Sequence, residues 1–232
     1  MLHVFIYYSI EPIYYTKFFG KEKYDTGFTL SYNGIMSSFF SMIFRMKYIT
    51  RWGLMNNKRS ENLSEHSLEV GMIAHCLATI GNKRLGKQLD ADHIAVMGMF
   101  HDCTEIITGD MPTPVKYFNE EIRRTYKEIE RTAAKELVKL LPDDMKDVYE
   151  PLLNEQGNCE YETRLVKAAD KICAYIKCID EIRMGNDEFN KARTSAAAAI
   201  AALDLDEANI FMEEFAPSYA LTLDEQKLAD LL

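Results

Sequence analysis

The pair His101-Asp102 stands in MFHDCTEI, an apolar stretch of helical character, and an imidazole beside a carboxylate is costly to bury there without a cation. His66 lies upstream in ENLSEHSLEV and Asp170 downstream in RLVKAADKI, so two imidazoles and two carboxylates come from three segments that each read as helix. Such a set points to a divalent-metal site with hydrolytic chemistry. Mixed nitrogen and oxygen donors suit one first-row ion, Mn²⁺, Fe²⁺, Co²⁺ or Zn²⁺, better than Ca²⁺ or Mg²⁺, which favour oxygen shells. Glu105 follows His101 by four positions and Asp102 by three, and on a helix all three side chains can then face one cavity. An ion with open coordination positions acidifies water and polarises a phosphoryl oxygen.

The elements that must hold these residues read as helices almost throughout, and the fold class expected is all-α, a helical bundle with the metal site in its core. MSSFFSMIFRMKYI repeats Phe39, Ile43 and Met46 at helical spacing, so the compact domain is expected to span residues 36–232. Ser64 reads as the cap of a helix through about Ile80, with Val70, Ile73, Leu77 and Ile80 on one stripe and Gly81-Asn82 as its stop. Asp90 caps the next, with Ile94, Met97, His101 and Glu105 facing inward. In TGDMPTPV two prolines within three residues forbid continued helix. An amphipathic helix follows from about Asn119 to Leu141, its stripe including Tyr126, Ile129, Ala133 and Leu137, then a short helix opened by Pro142. Asp170 sits on a helix from about Tyr161 to Met184, and an Ala-rich helix starts at Asn186-Asp187. Residues 1–35 are aromatic-rich, punctuated by Pro12, Gly20, Gly27 and Gly34, and read as an N-terminal extension. A true start at Met36 would leave it outside the native domain; a short strand or a partner-binding segment is the rival reading.

Composition narrows the function classes. With 232 residues and 47% hydrophobic, the chain can bury a full core as one domain plus an extension. The net charge of −9 argues against a polymeric nucleic acid as partner, which needs a basic face, while a small anionic ligand needs only one or two local cations. The cysteines Cys76, Cys103, Cys159, Cys173 and Cys178 form no CxxC and read as small core hydrophobes in a reducing compartment. No segment approaches the roughly 20 apolar residues that cross a bilayer, and HVFIYYSI lacks a basic n-region, so no membrane partner and a cytoplasmic location are expected.

RWGLM, ENLSEHSLEV, HDCTEIITGDMPTPVKYF, LVKAADKICAYIKC and PSYALTLDE together resemble the HD-domain metal phosphohydrolases, and within them the YfbR-type 5′-deoxynucleotidases, from about Met36 to Glu225. The resemblance implies that His66, His101, Asp102 and Asp170 hold the metal, and that His66, Asp102 and Asp170 also border the substrate. It implies that Arg51 meets the phosphate, a role a guanidinium fork suits, and that Trp52 presses on the sugar, where a rigid indole close to C2′ would penalise a ribose hydroxyl. Asp110, Met111, Pro112 and Thr113 look like the family's substrate loop, with Asp110 near sugar and phosphate and Thr113 as a polar contact. Glu105 and Asp110 would divide the acid–base work. The small-molecule partner implied is a deoxyribonucleoside monophosphate, and the assembly implied is a homodimer.

Blander readings stand beside these. His75, nine residues after His66, faces away from it, and His93 in a first helical turn is solvated or neutral. Trp52 could be a core anchor, Glu105 a partner that orients His101, Asp110 a turn cap, and RRTYKEIERTAAKE a solvated face of alternating sign. Rival functions are another HD-type phosphodiesterase or dNTP triphosphohydrolase, which needs more cations than Arg51, Lys58, Arg59 and Lys116, and a non-enzymatic helical protein stapled by its metal.

Overall fold

Asn62 starts the helix that carries His66. Its side-chain oxygen accepts from the N–H groups of Ser64 and Glu65, and the Glu65 carboxylate accepts from the N–H of Asn62, a reciprocal capping box. The expected cap, Ser64, therefore lies inside the helix: Asn62 is at least as good a cap, and an antiparallel bridge to Thr50 holds it extended. This helix, α2 (Leu63–Arg84), also runs past Gly81-Asn82. Gly81 is needed for proximity, since a Cβ there would lie 2.8 Å from Glu207 Oε1. The chain turns away at Gly86, whose φ of +68° is the left-handed conformation that ends helices.

The computed structural model describes residues 36–116, 118–154 and 159–226, which belong to one compact unit, Met36–Leu232. The readings made for residues 1–35 lie outside the described residues. A short α1 (Phe39–Ile43) passes into a 3-10 turn. After α2 come α3 (Ala91–Phe100), capped by Asp90 as expected, α4 (Glu105–Thr108), α5 (Thr113–Lys116) and α6 (Glu120–Val138), capped by Asn119. The two prolines do not forbid α5: proline is tolerated in the first turn of a helix, where its missing N–H has no partner to lose. A 3-10 turn then leads into α7 (Lys146–Leu153), followed by α8 (Glu160–Arg183), α9 (Asn190–Ala201) and α10 (Asp206–Glu214). Among the described residues no strand forms, in line with the all-α expectation.

Two apolar clusters hold these helices. The larger joins Val70, Ile73, Leu77 and Ile80 of α2, Ile94 and Met97 of α3, and Leu165, Ala169 and Ile172 of α8, with Ile200 and Phe211 behind them. The smaller gathers Phe39, Ile43, Met46, Leu63, Cys103 and Leu137. Each fully buried aliphatic contributes about 1.5–3 kcal/mol, so both ends of α2 are pinned. His66 lies between Leu63 of one cluster and Val70 of the other. The α6 stripe is buried at Tyr126, Ala133 and Leu137, but Ile129 is exposed, contrary to the sequence reading: α6 meets its neighbours on a narrower face than the apolar spacing suggests. Cys103, Cys173 and Cys178 are buried as core hydrophobes, whereas Cys159 is exposed.

Helices α2 and α3 meet at a glycine pair. A Cβ on Gly98 would sit 3.0 Å from Gly71 Cα and 3.1 Å from its nitrogen, so the two backbones nearly touch. His66 lies five residues before Gly71 and His101 three after Gly98, so this contact brings their imidazoles together, with ring centroids 5.3 Å apart.

Candidate active site

His101 does not share a regular helix with Glu105, as the spacing had suggested. Helix α3 ends at Phe100, and residues 101–104 wind more tightly, with Glu105 N–H donating to Asp102 O and Ile107 N–H to Thr104 O. With about three residues per turn, positions i and i+3 eclipse, so Asp102 and Glu105 stack on one face. His101 Nδ1 lies 2.7 Å from Gly98 O. A carbonyl only accepts, so Nδ1 carries a hydrogen and Nε2 is the ring nitrogen that faces the cluster, where a proton or a cation can sit.

The donor set converges. His101 Nε2 is 3.1 Å from Asp102 Oδ2, and His66 Nε2 is 3.7 Å from the same oxygen. Donor atoms of His66, His101 and Asp102 lie within 4.8 Å of one another, and Asp170 joins from α8 with Oδ1 3.2 Å from His66 Nε2. Both Nε2 atoms are buried without a hydrogen-bonding partner, and an orphaned buried polar atom is costly unless something binds it. Burial, helped by Arg51, lowers the pKa of His66 and keeps it neutral, the form a metal requires. Burial opposes a charge on His101 too, but Asp102 outweighs it and raises that ring to about 9. The cluster therefore attracts positive charge, and its residues fit a divalent cation.

Around it stand the other expected residues. Arg51 lies with Nε 3.3 Å from Glu61 Oε2 and Nη1 3.4 Å from Asp102 Oδ2. Trp52 adopts φ +59°, unusual for a bulky side chain, and its N–H donates to Asp110 Oδ2 at 3.1 Å. Asp110 is thus tied to the Arg51-Trp52 segment. Glu105 is buried, with Oε2 unpartnered and Oε1 3.7 Å from Lys116 Nζ. Burial and the Asp102 charge push its carboxyl up to about 8. Met111 and Pro112 are half-buried in the following loop, and Pro112 O accepts from Val115 and Lys116 as α5 begins. Thr113 opens α5, and its side chain lies outside the described parts of the chain.

Four partners escaped the sequence reading. Glu61 links Arg51 to Trp52; Phe189 packs on Trp52, centroids 5.4 Å apart; and Glu130 and Tyr126 hold Lys116, with Glu130 Oε1 at 3.2 Å from its nitrogen and the Tyr126 ring centroid at 4.6 Å. The last two lie in RRTYKEIERTAAKE, so that segment is not wholly a solvated face. A buried tyrosine within a charged run was the one available signal. His75 is exposed, 3.4 Å from Asp92 and away from the cluster, as expected.

A helical bundle that brings a histidine, a His-Asp pair and a distant aspartate to one buried point defines the HD-domain phosphohydrolase class. An HD-domain phosphohydrolase from Listeria innocua superposes with a TM-score of 0.70 at 24% identity, over 84% of this chain and 94% of that one. A cyanophage S-2L HD phosphohydrolase, bound to dA and one catalytic Zn²⁺ ion, superposes at 0.58 with 17% identity, over 79% and 98%. These likenesses establish the fold. In sequence, the model of the family described as 5′-deoxynucleotidase YfbR-like matches residues 38–219. The 5′-deoxynucleotidase YfbR of Salmonella arizonae is 49% identical over 82% of this chain and 95% of its own length, and an Escherichia coli YfbR is 48% identical over the same shares. The chain belongs to the YfbR-like family.

Proposed function

We propose that the protein hydrolyses deoxyribonucleoside 5′-monophosphates to deoxynucleoside and phosphate, with one divalent transition metal held by His66, His101, Asp102 and Asp170. The observation that carries this reading is the Arg51 guanidinium 3.4 Å from Asp102, with Trp52 beside it in the chain and bonded to the same Glu61 oxygen. When bound, the ion supplies Lewis acidity. Arg51 has five N–H donors and, beyond its two carboxylate partners, offers the rest to a phosphate monoester. Trp52 forms the wall against the sugar, with Asp110, Met111, Pro112 and Thr113 closing the substrate loop. Glu105 and Asp110 divide the proton transfers: the attacking water loses one proton and the departing 5′-oxygen gains one. A triphosphate tail is poorly served, because Lys116 is already paired with Glu130 and Glu105.

The mixed donor set supports Mn²⁺, Fe²⁺, Co²⁺ or Zn²⁺. Residues 36–232 form the catalytic domain in this reading, with residues 1–35 as an extension. A cytoplasmic homodimer accompanies it on the strength of the family resemblance. Among the described residues, no helix is long and apolar enough to cross a membrane.

The test is phosphate release from dTMP, dUMP and UMP by metal-loaded protein, with Trp52→Ala alongside. Release from the deoxy substrates but not UMP, and a relaxed preference in Trp52→Ala, are expected. No release from any deoxynucleotide while metal is bound would sink the reading.

A further inference from the structure

Within the bridge between Thr50 and Asn62, the Arg51 N–H donates to Glu61 O at 2.9 Å, and Leu63 N–H donates to Ile49 O. The closed loop brings the Glu61 side chain alongside Arg51 and Trp52, the two residues assigned to the substrate. One oxygen of it, Oε2, accepts from Trp52 Nε1 at 2.9 Å and lies 3.3 Å from Arg51 Nε. The Glu61 side chain is only 10% exposed, so solvent competes weakly for these bonds. Trp52 is held on its other sides too: Asp110 accepts its N–H, Met55 N–H and the Asn57 side-chain amide donate to its carbonyl, and its ring lies against Phe189. A left-handed conformation in a bulky residue persists only where the surroundings over-determine it.

We propose that Glu61 is the positioning residue that sets sugar discrimination, by locking the Trp52 indole to the Arg51 guanidinium. The proposal rests on the deoxynucleotidase reading and adds to it the element that makes the steric wall rigid. An indole free to change rotamer moves by ångströms and admits a ribose hydroxyl. An indole tied to the phosphate-binding guanidinium keeps a fixed distance between phosphate and C2′. Discrimination then depends on Glu61 acting through Trp52 and Arg51.

The experiment uses the full-length, metal-loaded protein and compares wild type with Glu61→Met, similar in size but unable to accept, and Glu61→Gln, whose amide oxygen still accepts. In Glu61→Met the ratio of kcat/KM for dUMP to that for UMP is expected to fall by about tenfold or more, the scale of one hydrogen bond to a charged group. The loss on dUMP should fall on KM more than on kcat, with bound metal unchanged, and Glu61→Gln should recover most of the ratio. Trp52 is the only tryptophan in the chain, so its indole N–H gives a single NMR signal. In the wild type that proton should be protected from exchange, and in Glu61→Met it should shift and lose protection. A wild-type indole N–H exchanging like free tryptophan overturns the proposal without recourse to any variant. So does a Glu61→Met protein that discriminates like the wild type. A wild type releasing no phosphate from any deoxynucleotide fails differently: it removes the parent reading, and the discrimination claim with it.

Discussion

Glu105 has the surroundings that the proposed proton transfer requires. It is buried and eclipses Asp102 on a tight turn, with one carboxyl oxygen unpartnered and the other facing Lys116. Glu105→Gln keeps the shape and removes the titration. Phosphate release from dTMP is expected to fall by about 100-fold or more in kcat, the usual worth of a general acid or base, while elemental analysis finds the metal retained. An inactive variant that has also lost its metal would make Glu105 a support for His101 instead. At this scale the sequence was most legible in the convergence of His66, His101, Asp102 and Asp170, types rarely buried together without a cation. It was least legible at Glu61 and Phe189. Glu61 sits in ENLSEH like any surface acid, and its meeting with Arg51 and Trp52 depends on a bridge closing between Thr50 and Asn62.

Helices were legible from apolar spacing and from a cap such as Asp90, and their ends were less so. Asn62 outcompetes Ser64 because the bridge holds it extended, and Gly81 lies inside α2, where Glu207 packs closely on it, and does not end the helix. Such reasons lie in residues far off in the chain. The Gly71–Gly98 crossing belongs to the same kind, and it sets the spacing of the two imidazoles. Helix propensity favours alanine by about 1 kcal/mol at both positions. At Gly98 a methyl group would meet only backbone, Gly71 Cα at 3.0 Å, Gly71 N at 3.1 Å and Val70 C at 3.2 Å. At Gly71 the nearest atom is 2.9 Å away on Met99, an exposed and flexible side chain, though Ala95 O lies at 3.1 Å. Gly98→Ala is therefore expected to cost about 1–3 kcal/mol by overpacking and to weaken metal retention by parting His66 from His101. Gly71→Ala should change stability less. Melting temperatures of both variants, with metal and after chelation, check this; equal effects would show that the crossing can spread without disturbing the cluster.

For the whole molecule, Lys177 and Glu181 stand four residues apart on α8 and both are buried. Burial comes from the loop after Trp52. Lys58 and Arg59 N–H groups donate to Glu181 at 2.8 and 3.0 Å, the Asn186 amide donates to it at 2.7 Å, and Lys177 donates to it at 2.6 Å and also to Arg59 O. The Asn186 amide reaches Asn56 O as well, so one carboxylate fastens the loop after Trp52 to the end of α8. Burial alone would raise the Glu181 pKa, but Lys177, the two backbone donors and Asn186 outweigh it and hold the carboxyl near about 2, against an ordinary 4.5. A folded pKa below the unfolded one gives stability that is fully present above about 4.5 and is lost as the pH falls toward 2. Glu181→Gln should thus lower the unfolding free energy by about 1–3 kcal/mol at pH 7, the cost of losing a charged acceptor from buried donors. The gap between wild type and variant should narrow steadily below pH 4.5. Denaturant titrations of both proteins at pH 7, 4.5 and 3 measure it, and subtraction cancels the other groups that titrate in acid. A gap that stays constant with pH would mean that the loop is held by shape and hydrogen bonding alone, with no contribution from the Glu181 charge.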